Sequence, residues 1–211
     1  MPVYYDVSVP ISPAMPVWPG DPPIQIEPVS SVSQGEEFNI SRLEMSTHTL
    51  THVDAPRHFV EGGTPVDRLP LDVLIGPALV VEPRPTGNLI TATDLGQLGI
   101  RHTERLLIKT RNSDLWAGGP YDFEYGFVSL SKDAGRWLVS KGIRLVGVDY
   151  LSVDAFDARE PAVHRALLEQ EVIVLEGLNL SQVPEGRYQL ICLPLKVRDG
   201  DGAPARVVLV R

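Results

Sequence analysis

The sequence predicts an α/β fold, with a single domain over residues 1–211, a mixed sheet and a β-rich core. Three observations support this prediction. The predicted strands outnumber the predicted helices, and the second half of the chain alternates strand with helix. No linker, internal repeat or block of charge divides the 211 residues. Hydrophobic residues make up 43% of the chain and charged residues 22%, which is typical of a globular protein that buries its own core.

The N-terminal half is predicted to be mostly extended chain. Eight prolines fall between positions 2 and 28, and proline removes a backbone donor and blocks helix interiors. We expect a short strand at 4–9, followed by an ordered loop that carries the sequence Trp-Pro-Gly-Asp at 18–21. Alternating apolar and polar residues predict a strand at 39–45, and an apolar run with β-branched residues predicts a buried strand at 76–82.

The C-terminal half is predicted to alternate helices with strands. Helices are expected where a capping residue precedes apolar residues at helical spacing, and strands where short apolar runs end in polar residues. The first helix would be capped by Thr91 or Thr93, and Gly142 would end the second. The predicted helices are 92–98, 131–141 and 161–169, and the predicted strands are 105–109, 143–148, 172–175, 188–193 and 205–210.

Charge and cysteine content exclude several classes of protein. The formal charge is −8, and a surface that binds nucleic acid needs a basic excess, so no nucleic-acid partner is expected. The first ten residues lack a basic segment followed by an apolar run, and no apolar stretch approaches the roughly 20 residues of a spanning helix. We therefore expect a cytoplasmic protein without a membrane partner. Its one cysteine, Cys192, lies in an apolar strand and is interpreted as a core residue.

Three histidines and an aspartate are concentrated in eleven residues. His48, His52, Asp54 and His58 carry imidazole nitrogens and a carboxylate, which suit zinc or another first-row divalent ion. Pro56 and the neighbouring threonines disfavour a helix here. In an extended chain these four residues share parity and would point to one side. The sequence therefore predicts a metal site built by one strand and the turn after it.

Other candidate residues are weaker when taken alone. His164 follows the start of a predicted helix and would be a capping histidine, while Glu176 would be a surface glutamate at a strand end. His102 lies in a polar run and would be solvated. Trp18 would be a core residue or a loop anchor. None of these positions indicates chemistry without further information.

The histidine segment resembles a known family pattern. The residues His48-Thr49-Leu50-Thr51-His52-Val53-Asp54-Ala55-Pro56-Arg57-His58 match His-x-Gly-Thr-His-x-Asp-x-Pro-x-His of the cyclase-like metal hydrolases, and especially of bacterial kynurenine formamidases. The resemblance spans nearly the whole chain. It also covers Phe59, His164 and residues 16–21, 62–63, 69–72, 147–152, 193–196 and 201–206.

The resemblance implies roles for individual residues. His48, His52 and Asp54 would hold one metal ion, and Asp54 would bridge to a second ion completed by His164 and Glu176. It assigns proton transfer to His58 and a place in the substrate pocket to Trp18, where an indole stacks on an aryl group. Two divalent ions are implied, with zinc preferred and manganese as the alternative. The family fold is α/β with a β-rich core, related to swivelling β/β/α domains, and its members form homo-oligomers, either dimers or tetramers.

The implied activity is hydrolysis of an aryl formamide, with N-formylkynurenine as the expected small-molecule substrate and tryptophan catabolism as the setting. A metal-activated hydroxide would attack the formyl carbon, and His58 would protonate the departing amine. The chain has no Gly-x-Ser-x-Gly elbow, which disfavours a serine-hydrolase route. One departure is plain, because the family glycine is Leu50 here. Leu50 keeps two alternatives open: turnover of a cyclic amide or lactone, or cyclisation or dehydration, at the same metal site. A metal-binding protein without turnover is the third.

Overall fold

The computed structural model describes residues 1–117 and 122–211. Its strands are β1 (Tyr4–Asp6), β2 (Gln25–Ser30), β3 (Ile40–Glu44), β4 (His52–Asp54), β5 (Ile75–Val81), β6 (Leu89–Ile90), β7 (Arg105–Ile108), β8 (Ser129–Leu130), β9 (Leu145–Val148), β10 (Ile173–Glu176), β11 (Gly186–Pro194) and β12 (Gly202–Val210). Its helices are α1 (Leu71–Leu74), α2 (Ala92–Gln97), α3 (Lys132–Ser140) and α4 (Ala162–Leu168). Across the described ranges, every helix falls short of the length and apolar character that a bilayer crossing requires.

Eight strands form one sheet that closes on itself. The order is β1-β12-β11-β5-β7-β9-β10-β4, and β4 also pairs with β12. The neighbours β5, β7, β9 and β10 run parallel, whereas the other pairs are antiparallel. The predicted α/β fold with a mixed sheet is therefore confirmed, and its core is barrel-like. The short strand β4 is the closing seam, because it joins β10 on one side to β12 on the other.

Apolar side chains fill both faces of the parallel strands. Leu107 points into the closed sheet with Leu145 and Cys192, while Leu106 and Ile108 face the layer of helices α2, α3 and α4. Burial on both faces is typical of parallel strands covered by crossover helices. Cys192 is a core residue as predicted, and burial raises the pKa of its thiol to about 12.

The predicted strands and helices are confirmed in position, with ends shifted by a few residues. Thr91, rather than Thr93, caps α2, because its side chain accepts from the Asp94 amide and Asp94 accepts from the Thr91 amide in return. Four elements were not predicted: β2, α1, and the paired strands β6 and β8, which have two residues each. Pro28 lies within β2, and the ladder of the β2–β3 hairpin is irregular between Pro28 and Ser30. Proline is tolerated there because the hairpin has two open edges.

A strand followed by a turn is present as predicted, but the expectation that an extended chain runs back to His48 is wrong. Only residues 52–54 form a strand, bends occupy 47–51, and a 3₁₀ turn covers Pro56–His58. Leu50 breaks the extended chain, because its φ of 54° lies in the left-handed region. The shared parity of the four candidate ligands therefore does not explain how they meet. Turns on either side of β4 bring them together.

Candidate metal centre

The floor of the site is a cross-strand pair at the closing seam. His52 and Asp54 alternate on β4 with Val53 between them, so both point to the same side of the strand. Glu176 is the last residue of β10 and lies directly opposite His52 in the antiparallel register. The Nε2 atom of His52 is 3.2 Å from Asp54 Oδ1 and 3.4 Å from Glu176 Oε2. All three side chains are buried.

His48 reaches the same point from the bend before β4. Its Nδ1 lies 2.7 Å from Asp54 Oδ1. Gly202 on β12 makes room for the ring, because a Cβ atom there would stand 2.5 Å from His48 Cε1. Glycine at position 202 is thus required by the close approach of an imidazole to the backbone of the neighbouring strand.

Helix α4 supplies His164 from the opposite side. Its Nε2 lies 3.1 Å from Glu176 Oε1 and 3.3 Å from Asp54 Oδ2. Its Nδ1 donates to Asp154 Oδ2 at 2.7 Å. The same Asp154 carboxylate accepts from the amides of Val163 and His164, at 2.9 and 3.0 Å. Asp154 therefore caps a helix whose N-cap residue is a proline, and it also turns the His164 ring so that Nε2 faces the carboxylates.

The Leu50 carbonyl orients His52. It accepts a hydrogen bond from His52 Nδ1 at 2.9 Å, which leaves His52 Nε2 facing the two carboxylates. Gly177 permits this arrangement, since a Cβ atom there would lie 2.0 Å from the Leu50 carbonyl oxygen. The Leu50 side chain is buried in an apolar cluster with Trp116 and Tyr150 and does not line the cleft above the site.

The buried carboxylates draw positive charge onto the histidines. Burial lowers the pKa of His52, but the carboxylates of Asp54 and Glu176 outweigh burial and raise that pKa to about 10. Burial likewise lowers the pKa of His164, yet Glu176 and the two aspartates beside it hold that pKa well above its ordinary value. Burial raises the pKa of Asp54, and the three surrounding imidazoles more than reverse this, leaving the pKa well below its ordinary range. The centre therefore favours a bound cation.

The residues present fit a divalent metal ion. Each of the five side chains His48, His52, Asp54, His164 and Glu176 has a nitrogen or oxygen within 3.4 Å of another member. Among the described residues, His48 Nε2 and Asp54 Oδ2 are buried polar atoms without a hydrogen-bond partner. Imidazoles and carboxylates converging in a buried site are the donors that zinc and manganese take in proteins.

Two ligand groups with suitable spacing share Asp54. One combines Asp54 with His48 and His58, and the other combines it with His52 and Glu176. Asp54 is the residue common to both groups. The grouping differs from the one implied by the family resemblance, which placed His48 and His52 on the same ion and gave His58 no ligand role.

His58 lies at the end of the 3₁₀ turn beside this centre. Its ring stacks on His48 with centroids 3.9 Å apart, and its edge contacts Phe59. Burial lowers the pKa of His58, and the charges of Asp54 and Glu176 do not restore it to the ordinary value. The lowered pKa favours the neutral imidazole of His58, which can accept a proton.

An aromatic wall borders the cleft above the centre. The cleft has a volume of about 410 Å³, within the range of small-molecule sites. Trp18 and Phe156 line it with ring centroids 5.5 Å apart. Trp18 begins a turn in which the Asp21 amide donates to the Trp18 carbonyl, and Gly20 adopts the positive φ of 103° that this turn needs at its third position.

The structure brings together every site residue that the sequence indicated. His48, His52, Asp54, His58, His164 and Glu176 meet in one cluster, and Trp18 lines the adjoining cleft. His102 is exposed, as expected. Two residues were missed: Asp154, which holds His164, and Phe156, which faces Trp18. The predicted helix at 161–169 begins at a proline, whose side chain cannot cap it. This was the one sequence signal that a side chain from elsewhere, here Asp154, caps the helix.

Comparisons with known proteins identify a family and several relatives. The Cyclase family model, described as "Putative cyclase", matches residues 5–155. Kynurenine formamidase of Salinibacter ruber is 42% identical over 207 residues, covering 97% of this chain and 95% of that protein. Kynurenine formamidase of Erythrobacter litoralis is 36% identical over 206 residues, covering 97% and 92%. A solved potential metal-dependent hydrolase with cyclase activity is 37% identical, with a TM-score of 0.84 and coverage of 100% and 98%.

Proposed function

Since this chain belongs to the cyclase family and is a metal-dependent hydrolase, we propose that it hydrolyses aryl formamides, with N-formylkynurenine as its substrate. One observation carries the proposal: a buried cluster of imidazoles and carboxylates lies at the bottom of a cleft whose wall is aromatic. The cluster suits a metal that acts on an amide carbonyl, and the wall suits an aryl group. The formamidase relatives match this chain over nearly its full length.

We propose that five side chains hold two divalent ions. The proposed ligands are His48, His52, Asp54, His164 and Glu176, with Asp54 as the bridge. Zinc suits this nitrogen and oxygen set best, and manganese is the alternative because two carboxylates are present. Bound there, a divalent ion supplies Lewis acidity, polarising a carbonyl oxygen and lowering the pKa of water.

The protein's own groups would orient the substrate and move the proton. Trp18 and Phe156 would pack on the aryl ring and keep bulk water from that side of the cleft. The imidazole of His58 would take the proton released by the attacking water and deliver it to the amine nitrogen as the C–N bond breaks. The products are the free aryl amine and formic acid, which ionises to formate and releases the second proton of the water.

We further propose that the chain works as a homo-oligomer, most simply a homodimer, in the cytoplasm. The β2–β3 hairpin exposes several large apolar side chains, among them Val29 and Phe38, whose exposed fractions are 66% and 55%. Exposed apolar side chains grouped on one element are typical of an interface. The single cysteine leaves no disulfide, which suits a reducing compartment. Residues 1–211 would act as one domain, because the seam at β4 joins distant parts of the chain.

The deciding experiment is a substrate panel. Metal-loaded protein is incubated with N-formylkynurenine, and formate and kynurenine are measured, with Asp54→Ala as the inactive control. We expect stoichiometric release of both products by the wild-type protein only. Turnover of a cyclic amide or lactone, with no formate from N-formylkynurenine, would favour the alternative reaction. No turnover of any substrate by fully metal-loaded protein would contradict an enzymatic role.

A further inference from the structure

The charged residues that line the cleft above the ligand cluster are mostly acidic, and only some of them form ion pairs. Among the described residues that line it, Arg159 is the one permanent cation. Three of the lining carboxylates have charged partners. Asp154 and Glu176 both pair with His164, at 2.7 Å and 3.1 Å respectively. Glu160 pairs with Lys132 at 3.3 Å.

Two charged side chains of the lining remain without such a partner. Within residues 1–117 and 122–211, neither Asp21 nor Arg159 forms an ion pair or a side-chain hydrogen bond. An unpaired cation and an unpaired anion in one cleft are both available to a ligand. The ligand best matched to them carries a carboxylate and an ammonium group at once.

The two charged residues lie on the loops that carry the aromatic wall. Asp21 is three residues after Trp18, in the same turn, and Arg159 is three residues after Phe156, in the loop that leads to α4. The contact of the Trp18 and Phe156 rings holds the two loops side by side. Asp21 and Arg159 therefore line the same cleft as the two rings, each on a loop that carries one of them.

We propose that Arg159 and Asp21 select substrates that carry an α-amino-acid group, with Arg159 binding the carboxylate and Asp21 the ammonium. A planar guanidinium binds a carboxylate through two parallel hydrogen bonds. The negative charge of Asp21 repels anions that lack an ammonium group, so it adds selectivity for the amino-acid group. The proposal rests on the proposed formamidase function, since it concerns the part of the substrate that does not react. An aryl formamide without the amino-acid group uses the metal and the aromatic wall but neither charge.

The test measures binding apart from turnover. Metal-loaded wild-type protein, Arg159→Gln and Arg136→Gln are titrated with kynurenine and with 2-aminoacetophenone, which keeps the aryl ketone and amine but lacks the amino-acid group. Arg136 is an exposed cation on α3 and serves as the matched control for charge. We expect the wild type to bind kynurenine more tightly than 2-aminoacetophenone. Arg159→Gln should bind kynurenine about tenfold or more weakly than the wild type does, with its affinity for 2-aminoacetophenone unchanged. Asp21→Asn should show the same selective loss.

Two results would overturn the proposal. One is equal binding of the two ligands by the wild type, and the other is an equal loss of both in Arg159→Gln. The failure of the proposed function has a different signature. Selective, Arg159-dependent binding of kynurenine without formate release from N-formylkynurenine would support amino-acid selection while contradicting formamide hydrolysis.

Discussion

The Asp154 carboxylate lies 2.7 Å from His164 Nδ1 and accepts two further hydrogen bonds from the start of the helix that carries that histidine. Asp154→Asn keeps one of the two oxygens that accept from the amides of Val163 and His164, but it removes the negative charge that holds the ring. We expect the metal affinity to fall about 10- to 100-fold with little loss of folded protein. Competition with a chelating dye measures the affinity, and Asp157→Asn in the same loop is the control. Unchanged affinity would show that Asp154 serves only the helix.

His58→Ala should separate proton transfer from metal binding. The substitution removes the neutral imidazole beside His48 but none of the five proposed ligands. We expect kcat to fall about 10²- to 10⁴-fold while the metal content stays constant. Rate assays and elemental analysis of the same preparation check both halves. If His58→Ala instead lost half of its bound metal, His58 would be a ligand in the group it forms with His48 and Asp54.

Removing the metal should lower both activity and stability. A ligand that binds only the folded state stabilises it in proportion to the logarithm of its concentration over Kd. Dialysis against a chelator should therefore abolish turnover and lower Tm, and added zinc or manganese should restore both. Titration of the stripped protein should saturate at about two ions per chain. Binding of fewer than about one ion per chain would contradict the proposed metal centre.

Metal binding should release protons. In the metal-free protein the pKa of His52 is raised to about 10, so His52 holds a proton at pH 7 that a metal must displace. We expect calorimetry in buffers of different ionisation enthalpy to detect at least one proton released per chain at pH 7.5. The raised pKa of His52 also stabilises the metal-free fold. This stabilisation is complete below about pH 6.5, the pKa of histidine in the unfolded chain, and it is lost as the pH rises to about 10. A metal-free protein whose Tm climbs across that range would contradict this assignment.

Leu50→Gly should change stability and leave substrate preference alone. Glycine relieves the left-handed backbone at φ 54°, worth about 1–2 kcal/mol, but deletes a fully buried side chain, which costs about 2–5 kcal/mol. We expect a lower Tm, and a still lower one for Leu50→Ala, which keeps the strain. The ratio of kcat/KM for N-formylkynurenine and for a cyclic amide should stay constant, because Leu50 does not line the cleft. A shift in that ratio would show that the family glycine sets specificity.

Local patterns in the sequence predicted most of the fold. The parallel strands were visible because runs such as residues 106–108 are apolar on both faces. Helices α2 and α3 were visible because the capping residues Thr91 and Ser131 precede them. Strand β2 was hidden by Pro28, and β6 and β8 are too short to show a period. The pairing of β4 with both β10 and β12 is a tertiary outcome that no local pattern encodes.

The site was predictable in composition but not in geometry. His48, His52 and Asp54 are close in the chain, so their convergence was foreseeable. Parity was the wrong reason for it, because Leu50 turns the chain before β4 begins. Glu176 and His164 gained meaning only from the family pattern, since their nearness to Asp54 depends on long-range packing. Asp154 acts ten residues away from the histidine that it holds, which no spacing rule anticipates.

The closing seam has a consequence for the order in which the protein matures. Strand β4 pairs with residues 202–204, about 150 positions further along the chain, and contacts of such separation form slowly because a long loop must first be closed. During synthesis, the segment with the histidine motif leaves the ribosome long before its partners β10 and β12. The proposed ligands on β4, α4 and β10 therefore come together only once the ring has closed, so assembly of the complete site depends on folding of the whole chain.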